Sequence, residues 1–333
     1  MNKENAEIAK LLSEVSVCIE ENRFTDISPI LQGFVNKWPQ CVDERFQAEV
    51  SMIEKQIVYK STLHDWDHLY LMKLVYQDCQ KVYATDEICR PQDFEASREL
   101  PDRDVIWWCW LQGLENAPEI VKACYHSLKK LGKKIVVLTE ENMYEYVTFP
   151  QWILDAKDKG IISRTHFSDL LRLELLTTRG GTWIDSTVLC TDGEDLLELL
   201  QSTPLFCFKS GVSPHILFDN WFIHCTKASR ILEETKNMLY EYWKRETGIK
   251  HYFLFHLFFS MACRRNTEEW NSIPIYSNDP VHIMQSEMLE SYKEHRWKQL
   301  CKMAGVHKLS YKYDESVNLD GTVLEHILQE YGE

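Results

Sequence analysis

The strongest constraint on the fold is a helix, a pair of glycines and a strand that follow one another within residues 165–190. Apolar residues recur at helical spacing over 165–178, and Gly180 and Gly181 then end the helix and permit a tight turn. The next segment has the composition of a buried strand, with Asp185 at its carboxyl end. In open α/β sheets, ligands bind beyond the carboxyl ends of strands. The segment therefore predicts a ligand-binding edge of a sheet, with Gly181 among the residues that bind the ligand, since glycine permits close approach of the backbone.

Asp169 and Arg172 are three residues apart on the predicted helix and therefore share one face. Alone, such a pair is more often a surface ion pair worth ~0–1 kcal/mol than part of a binding site. The carboxylate of Asp185 favours the second interpretation, because a divalent cation that bridges a diphosphate requires oxygen ligands. The three side chains together form a candidate site for a phosphorylated ligand.

Strands and helices alternate over most of the chain after residue 100. The pattern predicts strands at 105–110, 134–139, 182–190, 205–209 and 221–224, and helices at 117–131, 149–159, 165–178, 195–200, 228–247 and 251–264. This alternation is typical of an α/β domain with a largely parallel sheet. Residues 1–100 instead show helical periods, in Ile8, Leu12, Val15 and Ile19 and again in Val42, Phe46, Val50, Ile53 and Ile57. We therefore predict a helical accessory region at 1–100 and an α/β domain at 101–333.

Composition excludes several classes of protein. Asp and Glu number 51 against 37 Lys and Arg, a formal charge of -14, which argues against nucleic-acid binding because that requires neutralising phosphates. The N-terminus lacks the pattern of a secretory signal, and the longest apolar run, 252–263, is shorter than the ~20 residues of a membrane span. The 11 cysteines contain no CxxC pair and are expected to be reduced thiols. We predict a cytoplasmic protein without a membrane span.

The run SDLLRLELLTTRGGTWIDST at 168–187 resembles the S-D-x-x-R…G-G-x-x-x-D signature of glycosyltransferase family 32 and related toxin glucosyltransferases. Further similar segments are IWWCWLQG from 106, DNWF from 219, YFLFH from 252 and VHKLSYK from 306, so the chain resembles bacterial capsular polysaccharide synthesis proteins over roughly 100–313. The resemblance implies a GT-A fold with a Rossmann-like mixed sheet, a nucleoside diphosphate sugar (most often a UDP-sugar) and Mn²⁺ or Mg²⁺. It implies that Asp169 and Arg172 hold the donor sugar and diphosphate, and that Asp185 opens the DXD motif on the ribose or metal.

The DXD motif departs from the family pattern at its second carboxylate, which is Thr187 here. This change removes a strong anionic metal ligand. His307 and Lys312 resemble a late His-x-x-Gly-x-x-Lys segment of related retaining transferases, in which the histidine coordinates the metal and the lysine reaches the diphosphate. The resemblance therefore implies Asp185 and His307 as metal ligands, and Thr187 and Lys312 as donor contacts. The alternative for His307 is a surface histidine beside a basic strand.

Other positions have both a structural and a functional interpretation. Trp108, on the first predicted strand, and Gln112, just beyond it, border the nucleotide base in one interpretation, whereas Trp108 packs in the core in the other. Asn220 either contacts the donor or acceptor sugar or forms a strand edge. His64 and His68 have a spacing found in zinc hydrolases, but the residue after the first histidine is aspartate rather than glutamate.

Together with the resemblance, these residues predict a retaining glycosyltransferase that moves a hexose from a nucleoside diphosphate sugar to a glycan acceptor in capsular or surface polysaccharide synthesis. Its predicted catalytic residues are Asp169, Arg172, Asp185 and Asn220. We expect the protein to act at the inner face of the membrane, where it would associate peripherally with a polysaccharide assembly complex. Two alternatives stay open: a non-catalytic homologue that binds nucleotide sugar or glycan as an assembly partner, and a metal hydrolase at the histidine pair.

Overall fold

The computed structural model describes residues 3–20, 26–42, 46, 68–90, 94–95, 98–313 and 316–332. The chain forms two compact units, Met1–Leu74 and Val75–Glu333. The sequence placed the division at residue 100 instead, and the roles that it assigned to the two parts stay predictions. Of the predicted helical positions, Val50, Ile53 and Ile57 lie outside the described residues.

The main helices of the first unit are α1 (Lys3–Glu20) and α2 (Ile27–Lys37), and they pack through one apolar cluster. The buried side chains of this cluster are Leu11, Val15, Cys18, Ile27, Phe34 and Phe46. The three members from α1 are spaced four and three residues apart and therefore lie on one face of the helix. The helix predicted from Ile8, Leu12, Val15 and Ile19 is confirmed as α1. Val15 belongs to the buried cluster, and Ile8 and Leu12 pack against it.

The second unit contains a five-stranded mixed sheet and a separate two-stranded sheet. The strands in chain order are β1 (Val105–Cys109), β2 (Lys134–Leu138), β3 (Gly181–Ile184), β4 (Val188–Cys190), β5 (Leu205–Ser213), β6 (Ile216–Cys225) and β7 (Val306–Lys308). The large sheet has the order β2-β1-β3-β6-β5, in which β1 runs parallel to β2 and β3, and β6 runs antiparallel to β3 and β5. This arrangement confirms the predicted α/β class with a Rossmann-like mixed sheet.

The sheet is less parallel than predicted, because β5 and β6 form a hairpin. The two strands are separated by only two residues, Pro214 and His215. A parallel pair requires a crossover of a dozen or more residues, so this connection forces antiparallel pairing. The sequence pattern indicated two shorter strands at 205–209 and 221–224.

The predicted strand at 182–190 is interrupted at Asp185. The amide of Val188 donates to the carbonyl oxygen of Asp185 over 3.1 Å, which closes a turn between β3 and β4. β4 leaves the large sheet and pairs with β7, so that Val188 lies opposite Lys308. This turn brings a segment from the C-terminal part of the chain beside Asp185.

The helices that follow α2 in chain order are α3 (68–83), α4 (Asp86–Cys89), α5 (Glu119–Lys129), α6 (Gln151–Asp158), α7 (Arg164–Thr178), α8 (Glu194–Ser202), α9 (Arg230–Arg245), α10 (Leu254–Arg265), α11 (Thr267–Ser272), α12 (Asp279–Glu287), α13 (Glu294–Met303) and α14 (Val323–Tyr331). The helices predicted between 117 and 264 are confirmed, with ends that differ by three residues or fewer. Within the part of the chain that the structure describes, none of the helices has the length and apolarity needed to span a bilayer.

α7 is fixed in place by burial and by its two ends. The hydroxyl of Ser163 caps its first turn by accepting from the amide of His166 over 3.3 Å. The helix packs against β3, β6 and α9, and its buried apolar side chains are Phe167, Leu170, Leu171, Leu173, Leu175 and Leu176. Gly180 and Gly181 then adopt φ of 76° and 94°. A Cβ on Gly181 would lie 2.6 Å from the carbonyl oxygen of Val105, so glycine permits the close approach of β3 to β1.

Candidate active site

A cavity of about 580 Å³ opens at the carboxyl ends of β1 and β3. Its walls come from the segments after those two strands, from α7, from the middle of β6 and from the end of β7. The predicted site residues that line it are Gln112, Asp169, Arg172, Asp185 and Asn220. Since ligands of open α/β sheets bind at this edge, the topology and the residues agree on the position of the site.

Asp169 and Arg172 form a buried ion pair on α7. Oδ1 of Asp169 and Nη2 of Arg172 are 3.6 Å apart, and the two side chains are only 8% and 5% exposed. The alternative of a surface ion pair is therefore wrong. Nδ2 of Asn220 donates to Oδ1 of Asp169 over 2.9 Å. Burial raises the pKa of Asp169, although the positive charge of Arg172 opposes that rise.

Arg172 makes further contacts that fix its orientation. Its Nη1 donates to the backbone carbonyl of Asn220, and its Nη2 donates to Oδ1 of Asp185 over 3.4 Å. The guanidinium carbon lies 4.8 Å from the ring centroid of Trp183, a cation–π distance. Because a guanidinium is planar and always charged, these contacts hold a permanent positive charge at the floor of the cavity.

Three donors surround the carboxylate of Asp185. Nε1 of Trp183 donates to Oδ1 over 2.9 Å, Nζ of Lys308 donates to Oδ2 over 3.0 Å, and Arg172 is the third donor. Burial alone would raise the pKa of Asp185, but the positive charges of Lys308 and Arg172 outweigh it and the pKa lies below its usual value. The carboxylate is therefore ionised at neutral pH and held in one orientation.

Lys308 is a residue of the candidate site that the sequence interpretation missed. Its Nζ bridges Asp185 to Thr187, whose Oγ1 accepts over 2.7 Å. The pairing of β4 with β7 places Lys308 beside this turn. Since successive side chains of a strand point to opposite faces, a strand that turns Lys308 towards Asp185 turns His307 away. This alternation is readable in the sequence, but the pairing of β7 with β4 is not.

The structure does not bring His307 or Lys312 to the cavity. His307 is fully buried, and its Nε2 lies 3.1 Å from Oγ1 of Thr191. Burial lowers the pKa of His307 to about 4. His307 is thus a core histidine, and neither the metal-ligand interpretation nor the surface interpretation describes it. Lys312 is exposed, with Nζ 5.8 Å from the ring centroid of Tyr311.

Trp108, Gly181 and Thr187 are not in the cavity wall. Trp108 is 0% exposed and packs against Tyr125 with ring centroids 5.3 Å apart, because β1 is a central strand buried on both faces. Gly181 lies where β3 approaches β1 closely. Thr187 contacts the site through its hydrogen bond with Lys308. Trp110 lines the cavity where Trp108 was predicted to do so.

A second group of polar and aromatic side chains lines the same cavity. Nε2 of His256 lies 3.6 Å from Oδ1 of Asp219, and Tyr252 is 65% exposed. Trp110 makes an edge-to-face contact with Tyr311, with ring centroids 5.4 Å apart. Such rings suit sugars and bases because each combines an apolar face with a polar edge.

The side chains of the cavity do not fit a divalent cation held by the protein. Among the residues that the structure describes, no three His, Cys, Asp or Glu side chains are grouped to bind a metal ion. Hard divalent cations favour several oxygen ligands, whereas position 187 supplies only a hydroxyl that already accepts from Lys308.

Of the predicted hydrolase pair, His68 is exposed on α3, and His64 lies outside the described residues.

Of the comparisons with known proteins, the one with family models identifies the family of the chain. Among solved structures, the chain is similar to "PaToxG Glycosyltransferase" at 12% identity, over 81% of this chain and 99% of that chain, with a TM-score of 0.37. No curated protein matches the sequence significantly. The family model described as "Capsular polysaccharide synthesis protein" matches residues 56–327, which is most of the chain. The chain therefore belongs to the family of capsular polysaccharide synthesis proteins.

Proposed function

We propose that this protein is a retaining glycosyltransferase that moves a hexose from a nucleoside diphosphate sugar, in the first instance a UDP-sugar, to a glycan acceptor of a capsular or surface polysaccharide. The observation that carries the proposal is the charge network of Asp169, Arg172, Asp185 and Lys308 in one cavity at the carboxyl ends of β1 and β3. Family membership supports the polysaccharide as the product.

Each part of the network has a role in this reaction. Arg172 and Lys308 face the diphosphate, where negative charge grows as the bond between the anomeric carbon and the phosphate oxygen breaks. Asp169 and Asn220, which hold each other at 2.9 Å, hydrogen-bond hydroxyl groups of the donor sugar. Trp110 stacks against the base, beside Gln112 in the same wall.

Retention is proposed to proceed without a covalent enzyme intermediate. Asp185 already accepts from three donors, and Asp169 accepts from Asn220 and faces Arg172, so that neither carboxylate is free to attack the anomeric carbon. The acceptor hydroxyl oxygen instead bonds to the anomeric carbon from the side that the diphosphate leaves. The proton of the acceptor hydroxyl passes to the departing phosphate oxygen, so that one bond to the anomeric carbon forms as the other breaks and no charge is left over.

The acceptor is a glycan, and Tyr252 and the Asp219–His256 pair are its proposed contacts in the cavity. We propose further that the protein works at the inner face of the membrane, in peripheral association with a polysaccharide assembly complex, and that residues 1–100 help to dock it or to position the acceptor. If a variant that lacks only the first compact unit, residues 1–74, uses the same acceptors and keeps its oligomeric state, the docking role is refuted.

A donor screen tests the proposed function. The purified protein is incubated with a panel of nucleoside diphosphate sugars, with Mn²⁺ and separately with a chelator, and released nucleotide is measured. The transferase is supported if one donor is turned over, if Asp185→Asn abolishes that turnover, and if Lys159→Met retains it. Lys159 is exposed and is not among the residues that line the cavity. Saturable binding without turnover, even with acceptor glycans, would establish the non-catalytic alternative. If no donor binds, both the transferase and the non-catalytic alternative are refuted. The anomeric configuration of the product, measured by NMR, shows whether the reaction retains the configuration of the donor.

A further inference from the structure

We infer that Lys308 takes the place of a divalent metal ion in this cavity, so that the protein binds the diphosphate of its donor without a metal. The inference rests on the proposed function and concerns the same site. It assigns the binding of a diphosphate group to two side chains of this chain, Lys308 and Arg172.

The position of the ammonium group is the first argument. Nζ of Lys308 lies 3.0 Å from Oδ2 of Asp185 and 2.7 Å from Oγ1 of Thr187. These two side chains stand at the first and third positions of the D-x-D segment, which are the positions that would chelate a metal. The ammonium group therefore fills the space between the two potential ligands. The pairing of Val188 with Lys308 between β4 and β7 fixes the lysine backbone there.

The balance of charge is the second argument. A carboxylate at position 187 would leave an excess of negative charge, which attracts a divalent cation. Thr187 is neutral, and the ionised Asp185 is already flanked by Lys308 and Arg172, at 3.0 Å and 3.4 Å. A divalent cation on Asp185 would lie beside two positive charges and would have to displace one of them. Arg164, exposed in the same cavity, adds a further positive charge that can face a diphosphate.

Among the residues that the structure describes, the surroundings of Asp185 supply no replacement ligand. His307 neighbours Lys308 in sequence, but it is buried against Thr191 on the other side of the strand. Asp219, the remaining carboxylate of the cavity wall, lies 3.6 Å from His256. Asp169 shares Arg172 with Asp185, at 3.6 Å and 3.4 Å, so within the described residues the two carboxylates of the network already face two cations, Arg172 and Lys308.

Calorimetry with diphosphates tests the inference directly. Pyrophosphate and the diphosphates of uridine, guanosine, adenosine and cytidine are titrated into the protein, once in EDTA and once in Mn²⁺. For the probe that binds, we expect dissociation constants in the two buffers that agree within about threefold. Lys308→Met should weaken binding about tenfold to a hundredfold in EDTA, since a hydrogen bond to a charged group contributes about that factor. Lys308→Arg should retain most of the affinity, and the exposed Lys159→Met should match the wild type.

A gain of metal dependence is the complementary test. The double variant Thr187→Asp/Lys308→Met restores the second carboxylate and removes the ammonium group between positions 185 and 187. We expect this variant to bind the same probe poorly in EDTA and to recover affinity about tenfold or more in Mn²⁺, because two carboxylates can then share the ion with the diphosphate. Neither single variant should show that recovery in full.

The outcomes separate the inference from the proposed function. If EDTA abolishes probe binding and donor turnover by the wild type and Mn²⁺ restores both, the inference is overturned and the transferase stands. If no diphosphate or nucleoside diphosphate sugar binds in either buffer, both are overturned. Should circular dichroism show that Lys308→Met does not fold, the comparison of wild type and Lys308→Arg in the two buffers decides the question in the same way.

Discussion

Replacing Arg172 by methionine is expected to destabilise the second unit by about 3 kcal/mol at pH 7. Breaking a buried ion pair costs about 3–5 kcal/mol, because one charge stays buried without compensation. Arg172 is 5% exposed and faces Asp169 at 3.6 Å and Asp185 at 3.4 Å. Lys308 still compensates Asp185 in the variant, so the cost falls mainly on Asp169 and lies at the lower end of that range.

The cost of Arg172→Met should decrease as the pH falls. Burial already raises the pKa of Asp169, and the loss of Arg172 removes the largest influence that opposes it. A carboxyl group whose pKa is higher in the folded state than in the unfolded state, where it is about 3.9, destabilises the fold while it is ionised. That penalty is complete above the folded-state pKa and is relieved by protonation below it. The difference in stability between variant and wild type should therefore be smaller at pH 5 than at pH 7.

Urea denaturation at both pH values, followed by tryptophan fluorescence, measures this difference. Asp169→Asn/Arg172→Met should recover at least about half of the loss, because it removes the buried charge that the single variant leaves. Arg164→Met, an exposed arginine on the first turn of the same helix, is the matched control and should change stability by less than about 0.5 kcal/mol. An Arg172→Met protein as stable as the wild type at pH 7, or one that gains nothing from Asp169→Asn, would refute the reasoning.

Three further predictions concern single residues. Burial lowers the pKa of His307 to about 4, against about 6.5 in the unfolded chain, so the free energy of unfolding should fall as the pH falls through that window. The expected loss at pH 5 is about 2 kcal/mol. A His307→Gln variant that loses as much stability between pH 7 and pH 5 as the wild type contradicts this prediction. Gly181→Ala should lower the unfolding free energy by about 1–3 kcal/mol, since its φ is 94° and its Cβ would meet the carbonyl of Val105 at 2.6 Å; an unchanged melting temperature argues against that clash. Trp110→Ala should weaken binding of a nucleoside diphosphate about tenfold with little change in stability, because Trp110 lines the cavity. Trp108→Ala should lower the unfolding free energy by about 3–5 kcal/mol, because Trp108 is buried in the core. Calorimetry and melting curves that show the reverse pattern would assign ligand binding to Trp108 and core packing to Trp110.

The sequence determined the elements whose signals are local. The helix over 165–178, observed at Arg164–Thr178, and the glycine pair after it could be predicted because both signals are local: apolar spacing along the helix and glycines at its end. Asp169, Arg172 and Asp185 followed from the same segment, since a helix face and the end of the next strand fix their positions. The α/β class was also predictable, because alternating periods of hydrophobicity reflect which face of each element is buried.

Tertiary structure decided what depends on contacts between distant segments. Whether Asp169 and Arg172 form a surface pair or a buried one depends on contacts with distant segments. Asn220 of β6 bonds to both residues, and Asp185 at the following turn bonds to Arg172. The side of β7 that faces this turn is set by its pairing with β4, and that register places a lysine where the sequence pattern favoured a neighbouring histidine. A one-residue change of register exchanges the two faces of a strand, and local spacing carries no information about the partner strand. For this reason the sequence determined Asp169, Arg172 and Asp185, whereas only the fold determined that Lys308 lies between Asp185 and Thr187.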